Sequence, residues 1–533
     1  MIKIGLDFGT TNCTLSYYDS SRNVIESYRM GSAGSQWYIP SFVSYENEDQ
    51  SIQIGRPAKR NQDDDDFSVF SAFKMLLGEK NPDRLEPFGY FDTKPDDCAK
   101  DYINCLIQNY CTEKNIGSID EMVITVPEIW VKEHQHACRE SLKTICSDLN
   151  LPLQRFVSEP VAATAYFVHC FKTKTKKFFN GHVLVCDYGG GTLDLSLSKV
   201  EGEKISVLEC TGKGHDKNCL GRAGMAFDEE VVTNVYENKH DGKKLSRTNP
   251  IFKSLMIDFE EFKIDHNEKV TKSLHQYLKN NAINKKIFKV NSMPFFPSDF
   301  ANAFKKVISP EMIKALSEMK NYLNEHNVDI NNSDNFRIVM VGGFSNFYLV
   351  KQSIMDFFES KTMSDKRFDS HFDLEDGSLA ISKGAALIAN EMIELDVTCP
   401  ISIGLKVKSD MNGFLEDVDI AVLRKGVKIS EYTDPVFIKG GIRFEVDPAM
   451  RKTPIVLFIG DNERRKYIRL DQNIDQLFPN THIQDNLWKV GFSVNENFLF
   501  TLHAEDAKGL KIENPLGDIL SMVSGLIYFE DNK

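Results

Sequence analysis

No stretch of this chain comes near the roughly 20 consecutive apolar residues that a membrane-spanning helix needs. None of its 11 cysteines stands in a Cys-x-x-Cys pair. Met1-Ile2-Lys3 runs straight into an apolar strand, so no targeting segment is expected ahead of the fold. Together these features point to reduced thiols in a cytoplasmic protein. Positive charge is also in short supply. Against 77 Asp and Glu there are 64 Lys and Arg, a net charge of -13. That balance argues against nucleic acid or an anionic membrane as the main partner. What is present is ordinary for a globular protein, 41% hydrophobic and 26% charged. At 533 residues several domains are expected, each able to bury its own core.

One apparent metal site is set aside by its spacing. His134, His136 and Cys138 alternate within a predicted helix over about 131–148, whereas ligands sharing a helix face recur at i, i+3 or i+4.

The chain instead carries one strand-and-turn design twice. Ile4-Gly5-Leu6-Asp7-Phe8-Gly9-Thr10-Thr11-Asn12 reads as a buried strand ending in an acid and a glycine turn. Leu184-Val185-Cys186-Asp187-Tyr188-Gly189-Gly190-Gly191-Thr192 repeats it. Glycine lets bare backbone N–H groups approach an anion. The strand-end Asp suits hydrated Mg²⁺, an ion that takes carboxylate, waters and phosphate oxygens together. Two such hairpins facing each other would clamp a nucleoside triphosphate from both sides. A lone turn of this kind means little, since hairpins use Asp, Gly and Thr freely. Two copies point to a duplicated fold. A third turn follows at Ile338-Val339-Met340-Val341-Gly342-Gly343-Phe344-Ser345.

The three turns resemble those of the actin-like ATPase superfamily, and within it the chain resembles the heat shock 70 kDa chaperone (DnaK-like) family. The resemblance implies an α/β fold, a duplicated actin-like ATPase domain with ribonuclease H-like lobes over 1–390. An interdomain linker over 391–400 and a β-sandwich over 401–510 would follow. It implies ATP or ADP with Mg²⁺ as cofactors, the ion held through water by Asp7 and Asp187. Gly9, Thr10, Thr11 and Asn12, with Gly189, Gly190, Gly191 and Thr192, would hold the phosphates. Lys74-Met75-Leu76-Leu77-Gly78 matches a family segment whose Lys orients the attacking water. Arg155-Phe156-Val157-Ser158-Glu159-Pro160 matches its Glu-Pro signature. There Glu159 would stand near the metal and relay nucleotide state to Pro127, and Arg155 matches a co-chaperone-contacting Arg. Lys74, Glu159, Asp187 and Thr192 thus form the implied catalytic set. Glu260 and Lys263 match a Glu-x-x-Lys that contacts ribose and base, and Gly342, Gly343, Phe344 and Ser345 would lie against adenosine and its α-phosphate. Extended or unfolded polypeptide clients, a J-domain co-chaperone and a nucleotide exchange factor are the implied partners.

From 401 onward short alternating strands with turn signals support a sandwich. Residues 511–533 read as a short tail, too few for a helical lid. Two rival functions share the phosphate turns. A sugar kinase gives no reason for the Lys74 segment, the Glu159-Pro160 signature or the C-terminal strands. A nucleotide-gated, exchange-factor-like module with little ATPase activity is favoured by Ile264 where the family has an adenine-stacking Arg, and by Glu394 inside the linker.

Overall fold

A computed structural model describes residues 1–31, 37–127, 130, 136–213, 223–360, 365–368, 374–396, 399, 402–411, 414–424, 427–445, 454–458, 465–469, 487–495 and 498–518. The chain divides into a larger unit, Met1–Val131 with Ala137–Glu394, and a smaller one that carries Leu395–Lys533. No helix among the described residues is long and apolar enough to cross a membrane.

The larger unit holds two sheets built to one plan. In the first, Lys3–Asp7 pairs antiparallel with Asn12–Asp19 and parallel with Glu121–Val126, and Leu153–Ser158 lies beyond. In the second, Asn180–Tyr188 pairs antiparallel with Leu193–Glu201 and parallel with Phe336–Val341. The duplication holds to the residue. Asp7 ends its strand between Thr14 and Thr125, and Asp187 sits between Asp194 and Val341. Each central strand is buried along its apolar run, as parallel pairing under covering helices requires.

Each sheet has its own core. Ile4, Leu6, Leu15, Tyr102, Leu106 and Ile124 belong to one, and Leu184, Leu195, Phe227, Phe259, Phe300 and Phe336 to the other. A small sheet of Phe42–Glu46, Ile52–Ile54 and Phe67–Ser71 extends the first lobe. The helices Gly224–Lys239, Pro250–Asp265 and Asn267–Lys279 extend the second. The predicted helix near 131–148 is described over His136–Asp148.

Two helices, Glu159–Thr175 and Leu374–Ala389, pack face to face in this unit. Gly384 makes that possible, because a Cβ there would lie within the Ala162 carbonyl group. A mid-helix glycine costs about 1 kcal/mol against alanine, so its place is set by packing. Gly384→Ala should therefore destabilise rather than stabilise, by about 1–3 kcal/mol of overpacking. A calorimetric melting temperature at or above wild type would show that the helices separate freely.

In the smaller unit Ser402–Met411 pairs with Phe414–Leu423 and with Pro454–Phe458, which pairs with Arg465–Arg469. A second antiparallel sheet runs Val436–Phe437, Leu487–Val494, Leu499–Glu505, Lys511–Asp518. Trp488, Val490, Phe492 and Val494 are buried, with Phe500 and Leu502 on the next strand, a period of two. One boundary changes here. Lys511–Asp518, read from the sequence as the start of a tail, is the strand at the edge of this sheet. Pro515 and Gly517 mask it in the sequence, and an edge tolerates both. The rest of the expected tail, 519–533, lies outside the described residues.

Candidate active site

The two hairpin turns meet. A Cβ on Gly191 would stand 2.6 Å from Thr10 Oγ1, and one on Gly190 would collide with Thr11 Oγ1. Only glycine lets the turns come this close. Gly9 is equally confined, with its carbonyl accepting from Ser41 Oγ at 2.8 Å and the Asn12 carbonyl folded over it. The third turn joins from the second sheet. Ser345 Oγ donates to the Cys186 carbonyl at 3.2 Å and accepts from Tyr188 N at 3.1 Å. Gly342, at φ +81°, lies so close to Asp187 that a Cβ would stand 2.5 Å from Oδ1. Gly343, Phe344 and Ser345 continue into a short 3-10 turn.

Behind the turns lies a buried charge cluster. Lys74, in the 3-10 turn Phe73–Leu76, is 2% exposed, and its Nζ donates to Glu159 Oε1 at 2.6 Å. Glu159 opens its helix with Pro160 in the first turn, where a proline breaks no helical hydrogen bond. Asp7 accepts from Thr125 Oγ1 at 3.3 Å. Burial, with Glu159 nearby, pushes the Asp7 carboxyl up to about 7. Burial raises Asp187 well above the carboxylate range too, reinforced by Glu159, Asp194 and Asp7. For Lys74, burial alone would lower the ammonium, but Glu159 and Asp7 outweigh it and the net shift is upward. Three acids, Asp7, Glu159 and Asp187, thus face one lysine, and the cluster favours an added cation. Asp187 Oδ2, in this cluster, and Thr11 Oγ1, in the first turn, are buried without a hydrogen-bond partner among the described residues. Hard carboxylate oxygens with an unsatisfied lone pair fit Mg²⁺ that keeps its waters. Among the described residues no three acids, histidines or cysteines converge for direct ligation.

Both members of the expected base-contacting pair form ion pairs within the protein. Lys263 Nζ donates to both oxygens of Asp228, at 2.6 and 2.5 Å, 5.9 Å from the Phe344 ring centroid. Burial raises Asp228 to about 6, against the pull of Lys263. Glu260 binds Lys59 Nζ at 3.2 Å. Two residues of this region, Lys59 and Trp130, whose ring lies 5.6 Å from Lys74 Nζ, carried no local signal in the sequence. Asp194 was legible as the register partner of Asp187. Asp228 was legible too, at the end of the stretch 221–228 that stands where the family has Leu-Gly-Gly-x-Asp-Phe-Asp.

Comparison with known proteins agrees with the geometry. A family model described as Hsp70 protein matches residues 3–87 and 99–417. The chain belongs to the Hsp70 family. That family is built on a duplicated actin-like ATPase fold, and the paired sheets above are its two halves. This Hsp70 chain is 26% identical over 443 residues to the chaperone protein DnaK of Carsonella ruddii (strain PV), covering 76% of the chain and 66% of that relative. It is 26% identical over 447 residues to the chaperone protein HscA of Buchnera aphidicola subsp. Schizaphis graminum (strain Sg), covering 78% and 64%. Against the chaperone protein DnaK of Mycoplasma mobile it is 32% identical over 234 residues, 43% of this chain and 34% of that one. The chain therefore spans between a third and two thirds of the length of these relatives.

Proposed function

We propose that this chain binds ATP with Mg²⁺ between its two hairpin turns, hydrolyses it, and couples nucleotide state to the holding of extended polypeptide as a chaperone. One observation carries the reading: Thr10 and Thr11 meet Gly191 and Gly190 over a buried Lys74–Glu159 pair flanked by Asp7 and Asp187. The backbone amides of Gly9–Asn12 and Gly189–Thr192 hold the β- and γ-phosphates, and the Gly342–Ser345 turn lies against the adenosine side. Asp7, Asp187 and Glu159 hold the ion's waters. Mg²⁺, when bound, neutralises charge on the transferring phosphoryl group. Lys74 orients the attacking water, held in place by Glu159. Positioning of this kind accounts for most of phosphoryl-transfer catalysis.

On this reading residues 1–390 are the ATPase domain and 391–400 the linker. The two antiparallel sheets of the C-terminal unit form a sandwich that takes the polypeptide by strand-edge hydrogen bonds. J-domain and exchange-factor partners follow from the family and act on the ATPase domain.

Single-turnover hydrolysis of ATP by the full chain, with and without an extended apolar peptide, tests the reading. We expect slow, Mg²⁺-dependent hydrolysis that speeds up with peptide. Tight ATP binding without turnover would instead make the chain a nucleotide-gated regulator, and phosphate transfer to a sugar would make it a kinase.

A further inference from the structure

Each lobe of the larger unit has its own core, so contacts that bridge the lobes away from the turns stand out. One is the pair of Lys59 with Glu260. Another involves residues that the family match skips, between 87 and 99. Phe88 ends the 3-10 turn Glu86–Phe88, and Gly89 reverses the chain at φ +84°. Phe88 packs against the first core, and Tyr90, 2% exposed, anchors the segment there by donating to the Ser71 carbonyl at 2.8 Å. Phe88 also meets the second lobe. The Arg247 guanidinium lies 5.4 Å from the Phe88 ring centroid. Glu229, on the helix Gly224–Lys239, fixes that guanidinium by accepting from Nε at 2.9 and 3.0 Å. Lys253, from the next helix, reaches the same loop, its Nζ 3.9 Å from where a Gly89 Cβ would stand.

A nucleotide gripped by turns from both lobes leaves when the lobes part, so a contact that must break first adds to the barrier for release. We propose that Phe88 and Arg247, oriented by Glu229, form a clasp across the cleft that slows nucleotide release, a device of this chain's own segment between 87 and 99. This rests on the reading that the cleft holds nucleotide. A guanidinium on an aromatic face is weakly hydrated and planar, so the clasp persists in salt that weakens the Lys59–Glu260 pair.

The test is stopped-flow release of a fluorescent ADP analogue from the full chain. Phe88→Ala and Arg247→Ala should each speed release about three- to tenfold. The double variant should release no faster than the faster single, because one contact is lost once. Phe88→Tyr, which keeps the ring, should stay near wild type. Single-turnover hydrolysis of bound ATP should be unchanged in all four, which shows that the turns are intact. Release at the wild-type rate in both singles overturns the clasp, as do accelerations that multiply in the double variant. A wild-type chain that takes up no nucleotide sinks the ATPase reading and the clasp with it. One that binds and hydrolyses normally while the variants release unchanged sinks the clasp alone.

Discussion

Lys74→Ala is expected to leave ATP affinity within about threefold of wild type while slowing single-turnover hydrolysis by about 10²–10³-fold, the usual loss for one preorganised donor. The side chain is sequestered, 2% exposed, between Glu159 at 2.6 Å and the Trp130 ring at 5.6 Å. Such a group has little to offer a ground state held mainly by backbone amides, and much to offer a water that must be aimed. The substitution also strands Glu159, a buried acid without its partner, which destabilises by about 3–5 kcal/mol. Lys74→Met keeps the volume but strands Glu159 in the same way, so its melting temperature reads the lost ion pair and the hydrolysis rate of the folded fraction reads the lost donor. An unchanged single-turnover rate in either variant would reduce Lys74 to a structural ion pair.

The parts of this site that were legible in the sequence are local. An acid at the end of an apolar strand, followed by glycine and threonine, is visible within nine residues, and both hairpins, with the third turn, fold as their sequences imply. What the turns face is not local. Lys74 and Glu159 are 85 positions apart, and no spacing joins them; only the family resemblance named both. Glu260 has a protein partner that its motif does not name. Its Glu-x-x-Lys context resembles a nucleotide contact, yet its carboxylate meets Lys59, 201 positions away, while Lys263 turns to Asp228. The Glu-x-x-Lys spacing also suits a helix surface pair, so tertiary charge decides the partner. The edge strand Lys511–Asp518 was hidden for another reason, since proline and glycine lower strand preference except where a ladder ends.

Asp187→Asn should act in opposite directions with and without the cation. In the metal-free chain, burial and neighbouring acids raise Asp7 to about 7 and hold Asp187 well above its ordinary value. Above the unfolded carboxylate range, near pH 4, the folded chain then holds more protons than the unfolded one. Stability must fall as pH rises, until the folded-state values are passed. For Asp7 alone the shift corresponds to up to roughly 4 kcal/mol, lost mainly between pH 4 and 7. In EDTA the wild-type melting temperature should therefore drop from pH 5.5 to 8, and Asp187→Asn, with one buried charge fewer, should drop less. Adding Mg²⁺ with ADP should flatten the wild-type slope, because the ion favours the ionised acids. In the variant that protection weakens, since the position of Asp187 Oδ2, buried with no hydrogen-bond partner among the described residues, no longer carries charge to offer. Mg²⁺-dependent nucleotide affinity should fall about 10- to 100-fold, one to two steps of 1.4 kcal/mol. Binding without Mg²⁺ should change by no more than about threefold, less than one such step. Isothermal titration in EDTA and in Mg²⁺ reads both. Equal losses in the two buffers would leave Asp187 a purely structural residue.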